Sequence, residues 1–482
     1  MENKSLKKQA VHGVGWSAIE NISKYGISFF ISLILARLLT PDEYGLIGIL
    51  TIFITLFNAI VDSGFTNALI RKNNVTDVDY STVFYVNLFV SILMAFTLFL
   101  CAKSIAVFFK REELFALTRV MSCVVIINAF SIVQKVRLTK ALNFKLQTKI
   151  TVFSTIISGL LGIYCAYNGW GVWALVVQQI VVQLFTTILL WIYNRWFPLF
   201  TFSSKSFLEM WSFGWKLLLS KIIDSLWQEI YQVVIGKCYT SNTLGLFTRA
   251  KQFSDLCSSN LTIVVQRVSY PVLSKIQDDP ILQKTVYKRI IKMTMLITFV
   301  LMIGLATCST SMIPFLIGNQ WEGCIPMLQL ICTYGMFYPL HAINLNMLQV
   351  QGRSDLFLKL EIIKKLVFIL PLLLGVFVGI YWMLASTLGA NIISYYLNAY
   401  YSGHFLNYSI KEQVKDILPS FLIAITMGML VFFIGLIPIN VYILFPLQLL
   451  TGTLSTCLLC EYYKLPEYLE IKQLILQKQN RN

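Results

Sequence analysis

Charged and hydroxyl side chains recur at helical spacing inside stretches of the sequence that are otherwise apolar. In the first such stretch, Glu20 and Lys24 lie four residues apart, and Ser28 and Ser32 continue the row. A spacing of four places these side chains along one face of a helix. Because a charge at the centre of a membrane helix costs about 2.5 to 3.5 kcal/mol, such a face should contact another polar face or water.

Three further apolar stretches carry the same kind of polar row. We expect the four rows to face one another and to line a water-accessible cavity. The rows comprise Thr51, Thr55, Asn58, Asp62 and Thr66 in the second stretch; Lys216, Ser220, Asp224, Gln228 and Gln232, with Lys221 beside them, in the seventh; and Asp255, Ser259, Thr262 and Gln266, with Arg267 beside them, in the eighth.

The cations of these rows predict a site for an anion. Lys and Arg donate charge-assisted hydrogen bonds, and a diphosphate can accept several of them. The predicted substrate-binding residues are Arg267, Lys221, Lys216 and Lys24. Arg267 ranks first among them because no acidic residue lies three or four positions away to neutralise it.

The acidic residues of the rows have two interpretations. Asp224, Asp62 and Glu20 are predicted to hold a coupling ion, either a proton or sodium. The alternative is that Glu20 with Lys24, and Lys221 with Asp224, form structural ion pairs, since their spacing suits pairing along one helix.

Motifs of catalysis and metal binding are missing from the sequence. It contains no GxxxxGK[ST] phosphate loop, no HExxH and no GxSxG, so ATP is not predicted as the direct energy source and no catalytic residue is assigned. Cys457 and Cys460 form a CxxC without a second pair or a nearby His, which argues against zinc. We predict a protein that is not an enzyme and has no bound cofactor or metal.

Composition predicts that these rows belong to membrane helices. Hydrophobic residues make up 57% of the 482 residues and charged residues 13%, whereas soluble proteins carry about a quarter charged residues. Mean hydropathy is +0.70. A spanning helix needs roughly 20 apolar residues, and runs of this length exclude a barrel. We predict an all-α integral membrane protein with 14 spans, at residues 14–38, 46–70, 81–109, 115–136, 149–168, 170–194, 211–236, 248–273, 291–317, 324–350, 361–380, 382–402, 415–437 and 441–462.

The formal charge of +16 predicts orientation in the membrane rather than binding to nucleic acid. With the N-terminus inside, 27 of the 39 Lys and Arg fall in cytoplasmic segments and seven on the opposite face. This asymmetry is the positive-inside pattern. It predicts a multi-pass protein of the cell (inner, cytoplasmic) membrane with both termini in the cytoplasm.

An internal repeat predicts two related halves. Gly15-Trp16 recurs as Gly214-Trp215, and Thr40, Gly45 and Leu46 recur as Thr240, Gly245 and Leu246. Six predicted spans in each half give two lobes of parallel topology, an arrangement used by transporters. The predicted division is a lobe at 1–203, a lobe at 204–404, and a last part at 405–482 that holds two C-terminal helices.

Two short segments resemble a known family. Residues 38–46, LLTPDEYGL, are similar to the signature of polysaccharide flippases, and residues 244–250, LGLFTRA, resemble its echo in the second half. The chain therefore resembles the lipid-linked oligosaccharide flippases of the multidrug/oligosaccharidyl-lipid/polysaccharide exporter superfamily, in the colanic-acid exporter branch. The resemblance implies flipping of undecaprenyl-diphosphate-linked repeat units to the outer leaflet by alternating access, for capsule, exopolysaccharide or O-antigen. It also implies a polysaccharide polymerase and assembly proteins as partners.

Two other functions stay open at this point. A membrane enzyme of polysaccharide assembly, such as a polymerase or an acyltransferase, would be expected to place its site in long outer loops, and the predicted outer loops are short. A drug or cation exporter of the same superfamily would favour acids alone in its cavity, whereas the polar rows here mix acids with Lys24, Lys216, Lys221 and Arg267.

Overall fold

The computed structural model describes residues 26–62, 64–72 and 74–479. Throughout these residues the chain is helical and contains no β-strand, so the predicted all-α fold is confirmed. The chain divides into two compact units, residues 1–245 and residues 246–482. The lobes at 1–203 and 204–404 and the last part at 405–482 stay a prediction.

The first unit is built from eight helices among its described residues, and a ninth begins there. Helix α4 packs along α5, α6 along α7, and α8 against α2, α3 and α4. The helices are α1 (described over Gly26–Leu38), α2 (Pro41–Asp62), α3 (Phe65–Arg71), α4 (Asp77–Phe109), α5 (Glu113–Lys140), α6 (Phe144–Tyr167), α7 (Val172–Asn194), α8 (Ser204–Cys238) and the first turn of α9 (Ser241–Cys257).

The second unit is organised around one long helix, α11, which packs against α12, α17 and α18. Asp279 caps its N-terminus by accepting hydrogen bonds from the backbone of Ile281 and Leu282. The helices that follow α9 are α10 (Ser259–Lys275), α11 (Pro280–Ile317), a 3₁₀ turn (Asn319–Trp321), α12 (Cys324–Gly335), α13 (Tyr338–Val350), α14 (Ser354–Val367), α15 (Ile369–Phe377), α16 (Ile380–Leu406), α17 (Ile410–Gly435), α18 (Val441–Tyr462) and α19 (Pro466–Gln479).

Eight helices in the described part of the chain are long and apolar enough to cross a membrane: α2, α4, α5, α6, α7, α11, α17 and α18. They make the protein a multi-pass membrane protein. Within the described residues, the predicted span 324–350 consists of two short helices, because α12 ends at Gly335 and α13 begins at Tyr338. The predicted span 14–38 is described only over Gly26–Leu38. The total of 14 spans stays a prediction.

The predicted second span, 46–70, is a broken helix. Helix α2 ends at Asp62, and Gly64, which precedes α3, has a left-handed backbone conformation with φ 70°. A Cβ atom at Gly64 would lie 2.3 Å from the carbonyl oxygen of Gly214 in α8. Glycine is therefore required here both for its backbone angle and for the close approach of α8.

The repeated residues Thr40 and Thr240 begin equivalent helices. The Thr40 hydroxyl accepts a hydrogen bond from the backbone of Glu43, and the Glu43 carboxylate accepts one from the backbone of Thr40 at 2.7 Å. This reciprocal arrangement is a capping box for α2. The Thr240 hydroxyl likewise accepts from the backbone of Thr243 at 3.2 Å, at the start of α9. Part of the sequence repeat thus consists of residues that cap the N-termini of α2 and α9.

The repeated residues Gly45 and Gly245 let the first turns of α2 and α9 touch. A Cβ atom on Gly45 would lie 1.8 Å from the carbonyl oxygen of Ser241, and one on Gly245 would lie 1.8 Å from that of Pro41. Pro41 and Ser241 are also 200 positions apart, so each repeated glycine contacts the equivalent residue of the other repeat. No larger side chain fits at either glycine without separating the two helix starts.

Candidate functional site: a polar cavity in the first unit

A cavity of about 480 Å³ lies in the first unit between α2, α3, α5 and α8. Each of these four helices contributes at least one polar side chain to its wall. The lining residues are Thr55, Asn58, Ala59, Asp62, Thr66, Ile70, Asn128, Ile132, Lys135, Val136, Thr139, Lys221 and Ser225. Four members of the row predicted for the second apolar stretch, Thr55, Asn58, Asp62 and Thr66, are therefore on this wall.

An ion pair between α8 and α2 crosses the cavity. The Lys221 ammonium contacts the Asp62 carboxylate, which also accepts a hydrogen bond from the Thr66 hydroxyl. The Lys221 side chain is 49% exposed and that of Asp62 is 23% exposed. An ion pair this open to solvent contributes at most about 1 kcal/mol to stability, so its groups remain accessible to a ligand.

An amide network supports the wall that α2 and α5 form. The Asn128 amide of α5 donates to Asn58 of α2 at 2.9 Å, and the Gln183 amide of α7 donates to Asn128 at 3.0 Å. Gln183 also donates to the Ser131 hydroxyl at 3.3 Å. Amides inside a membrane protein are stable only when they are hydrogen-bonded, and these bonds hold the Asn128 and Asn58 side chains beside the cavity.

Sequence reasoning missed the contribution of α5. Asn128, Lys135 and Thr139 line the cavity, although they belong to none of the four predicted polar rows. The signal was present, because Asn128, Ile132, Lys135, Val136 and Thr139 are spaced by three and four residues and so share one helical face.

The other predicted site residues do not line this cavity or lie outside the residues that the structure describes. Arg267 is exposed on α10 in the second unit, and Lys216 and Asp224 are exposed on α8. The Lys216 ammonium lies 5.9 Å from the centre of the Trp215 ring. Glu20 and Lys24 fall outside the described residues. Of the seven predicted residues, the structure therefore brings Asp62 and Lys221 together in this cavity.

The cavity suits an anionic ligand with polar groups attached. Two cations, Lys135 and Lys221, face one acid, Asp62, which leaves the lining with an excess of positive charge. Amides and hydroxyls from Asn58, Asn128, Thr55, Thr139 and Ser225 supply both donors and acceptors. In the described part of the chain, no group of three or more His, Cys, Asp or Glu side chains could hold a metal ion.

Comparison with known proteins identifies the family. Residues 34–326 match the family described as "Polysaccharide biosynthesis protein". The chain belongs to this family. The match includes both segments that carried the resemblance, 38–46 and 244–250, and the predicted recognition is confirmed.

Curated relatives extend along most of the chain. The teichuronic acid biosynthesis protein TuaB of Bacillus subtilis is 25% identical over 439 residues, which cover 90% of each chain. The succinoglycan biosynthesis transport protein ExoT of Rhizobium meliloti is 24% identical over 324 residues, which cover 67% of this chain and 66% of ExoT.

A solved membrane-protein structure has the same fold. A solved structure of the lipid II flippase MurJ, in an inward closed conformation, matches 94% of this chain and 99% of its own with a TM-score of 0.75 at 14% identity. This polysaccharide biosynthesis protein therefore shares its helical membrane fold with MurJ.

Proposed function

We propose that this protein flips undecaprenyl-diphosphate-linked oligosaccharide repeat units from the cytoplasmic to the outer leaflet for synthesis of a surface polysaccharide. The observation that carries the proposal is the cavity of α2, α3, α5 and α8, which places Lys221, Lys135 and a hydrogen-bonding wall between apolar helices. A diphosphate needs cations and donors, while its polyprenyl tail stays in the bilayer. The cavity offers cations and hydrogen-bond donors for the diphosphate. The apolar helices beside it suit a tail that stays in the bilayer.

Alternating access is the proposed mechanism. The lobes at 1–203 and 204–404 rock against each other, with both termini in the cytoplasm and 14 spans in all. The diphosphate is held by four cations, Lys221, Lys216, Lys24 and Arg267. When it binds Lys221 it displaces Asp62, so binding of the substrate breaks the ion pair between these two residues. Asp224, Asp62 and Glu20 are the proposed sites for a driving proton or sodium ion. A polymerase and assembly proteins receive the product.

Deletion of the gene tests the direction and the substrate together. The strain should lose its surface polysaccharide yet still make the lipid-linked repeat unit, and that intermediate should be protected from a membrane-impermeant glycan-modifying reagent in intact cells. A polymerase defect would instead leave single repeat units at the cell surface. Detection of such units in the deletion strain would refute the flippase proposal.

A further inference from the structure

The hairpin between α4 and α5 gathers cations where the sequence pattern disfavours them. Lys103, Lys110 and Arg111 belong to the seven Lys and Arg predicted for the outer face, and they lie within nine residues of one another. Lys237 of α8 joins them, because its ammonium donates to the Phe108 carbonyl at 2.7 Å and lies 3.9 Å from the centre of the Phe108 ring. Four of the seven outer cations therefore meet at one hairpin.

A groove of about 730 Å³ opens on this hairpin. It is lined by Lys103, Ala106, Val107, Lys110, Arg111, Glu112 and Phe115. Arg111 is neutralised, since it pairs with Asp42 and lies 3.5 Å from Glu113. Lys103 and Lys110 are exposed and form no side-chain ion pair or hydrogen bond with the residues that the structure describes. The groove thus offers two ammonium groups against the single carboxylate of Glu112.

Arg119 extends the charge deeper along α5. Its guanidinium stacks between two aromatic rings, 4.5 Å from the centre of Phe99 and 4.0 Å from that of Phe115. No carboxylate among the described residues pairs with it. Stacking restrains the plane of the guanidinium, and because Arg119 is exposed, its N–H groups are available to a planar or tetrahedral anion.

The depth of these cations matches a lipid headgroup. Lys103 lies six residues before the end of α4 at Phe109, and Arg119 lies six residues after the start of α5 at Glu113. At 1.5 Å per residue both lie about 9 Å inside the helix ends. Their neighbours on α4 are exposed apolar side chains, with Phe96 at 58%, Leu100 at 61% and Val107 at 69% exposure. This apolar face belongs against hydrocarbon, so an anion held by Lys103 and Arg119 must be one that the membrane carries.

We propose that this hairpin binds the phosphate of an anionic phospholipid, such as phosphatidylglycerol, in the leaflet that meets the α4–α5 turn. Lys103, Lys110 and Arg119 hold the phosphate, and the acyl chains lie along Phe96, Leu100 and Val107. Arg111 connects the site to the helix starts of the signature segment, because its partner Asp42 also accepts a hydrogen bond from the Ser241 hydroxyl.

Photo-crosslinking tests the site directly. The full-length protein is reconstituted with phosphatidylglycerol that carries a photoreactive acyl chain, and adducts are mapped by peptide mass spectrometry. We expect adducts on residues 96–119. The Lys103→Gln, Lys110→Gln, Arg119→Gln variant should lose them, since each cation near an anionic lipid contributes about a five-fold preference, which is on the order of 100-fold for three.

A matched variant, a second lipid probe and one competitor make the result decisive. Lys205→Gln, Lys411→Gln, Lys415→Gln removes the same charge from exposed positions outside the hairpin and should keep the adducts. Phosphatidylcholine with the same photoreactive chain should label the hairpin weakly. Equal labelling by both lipids, or labelling unchanged in the first variant, would overturn the proposal. Loss of the phosphatidylglycerol adduct to millimolar inorganic phosphate would also overturn it, because the site would then hold free phosphate.

Discussion

At the scale of single residues, substitutions at Lys221 and Asp62 distinguish a role in substrate binding from a role in stabilising the fold. Lys221→Ala and Asp62→Ala should each leave the melting temperature almost unchanged, because the partly exposed pair contributes at most about 1 kcal/mol. If Lys221 contacts the diphosphate, Lys221→Ala should abolish polysaccharide export at normal membrane levels. The measurements are export in a deletion strain and thermal unfolding of the purified variants.

The reversed pair is the control for this prediction. Lys221→Asp combined with Asp62→Lys keeps an ion pair but exchanges the helices that carry its charges. We expect this double variant to stay folded and inactive, since the ammonium leaves α8. Recovery of export by the reversed pair would show that the two residues serve only to neutralise each other.

Arg267 carries a second prediction at this scale. It is exposed on α10, and no ion pair to it is found among the described residues. Arg267→Ala should abolish export with normal protein levels, and Arg267→Lys should recover part of it, because Lys keeps the charge but loses the planar fork. Arg353→Ala is a suitable control, since Arg353 is also an exposed Arg of the second unit but pairs with Asp355. Wild-type export by Arg267→Ala would remove Arg267 from the proposed site.

At the scale of helices, Gly45 and Gly245 make the sharpest packing prediction. An added Cβ atom would lie 1.8 Å from a backbone oxygen at either position, so Gly45→Ala and Gly245→Ala should each lower the free energy of unfolding by about 1 to 3 kcal/mol or separate the starts of α2 and α9. Thermal unfolding measures the first effect. Cysteine accessibility at Asp42 and Ser241 measures the second.

Gly389 provides the matched control for these variants. It lies within α16, and an added Cβ atom would meet nothing within 4 Å. Gly389→Ala should leave stability unchanged or raise it by roughly 0.5 to 1 kcal/mol, because alanine favours helix. Equal melting temperatures for Gly45→Ala, Gly245→Ala and Gly389→Ala, without a change in accessibility, would show that the contact of the two helix starts is dispensable.

At the scale of the whole molecule, the prediction concerns orientation. Cysteines placed singly at Asn143, between α5 and α6, and at Asn319, after α11, should label from opposite sides of the membrane. In a background without the ten native cysteines, an impermeant thiol reagent should reach position 319 in intact cells and position 143 only after permeabilisation. Labelling of position 143 in intact cells would invert the proposed topology.

The sequence by itself determined the class of the molecule and its family. Apolar stretches long enough to span a membrane, and polar rows at helical spacing, depend on residues that are neighbours along the chain, so no tertiary information was needed to predict an all-α membrane protein. The same holds for the segment 38–46, whose Thr40 and Glu43 build a local cap. Of the row from Thr51 to Thr66, four members, Thr55, Asn58, Asp62 and Thr66, line one cavity, while the meeting of all four polar rows stays a prediction.

Only the tertiary structure decided which side chains meet. Helical spacing offered Asp224 as the partner of Lys221, whereas the folded chain pairs Lys221 with Asp62, which is 159 positions away. It also brought Asn128, Lys135 and Thr139 of α5 into the wall of the cavity. These contacts depend on how each helix is rotated about its axis and on which helices are neighbours. Both are set by packing of whole faces, such as Gly45 against Ser241 and Gly64 against Gly214, and the spacing of residues within one helix carries no information about them.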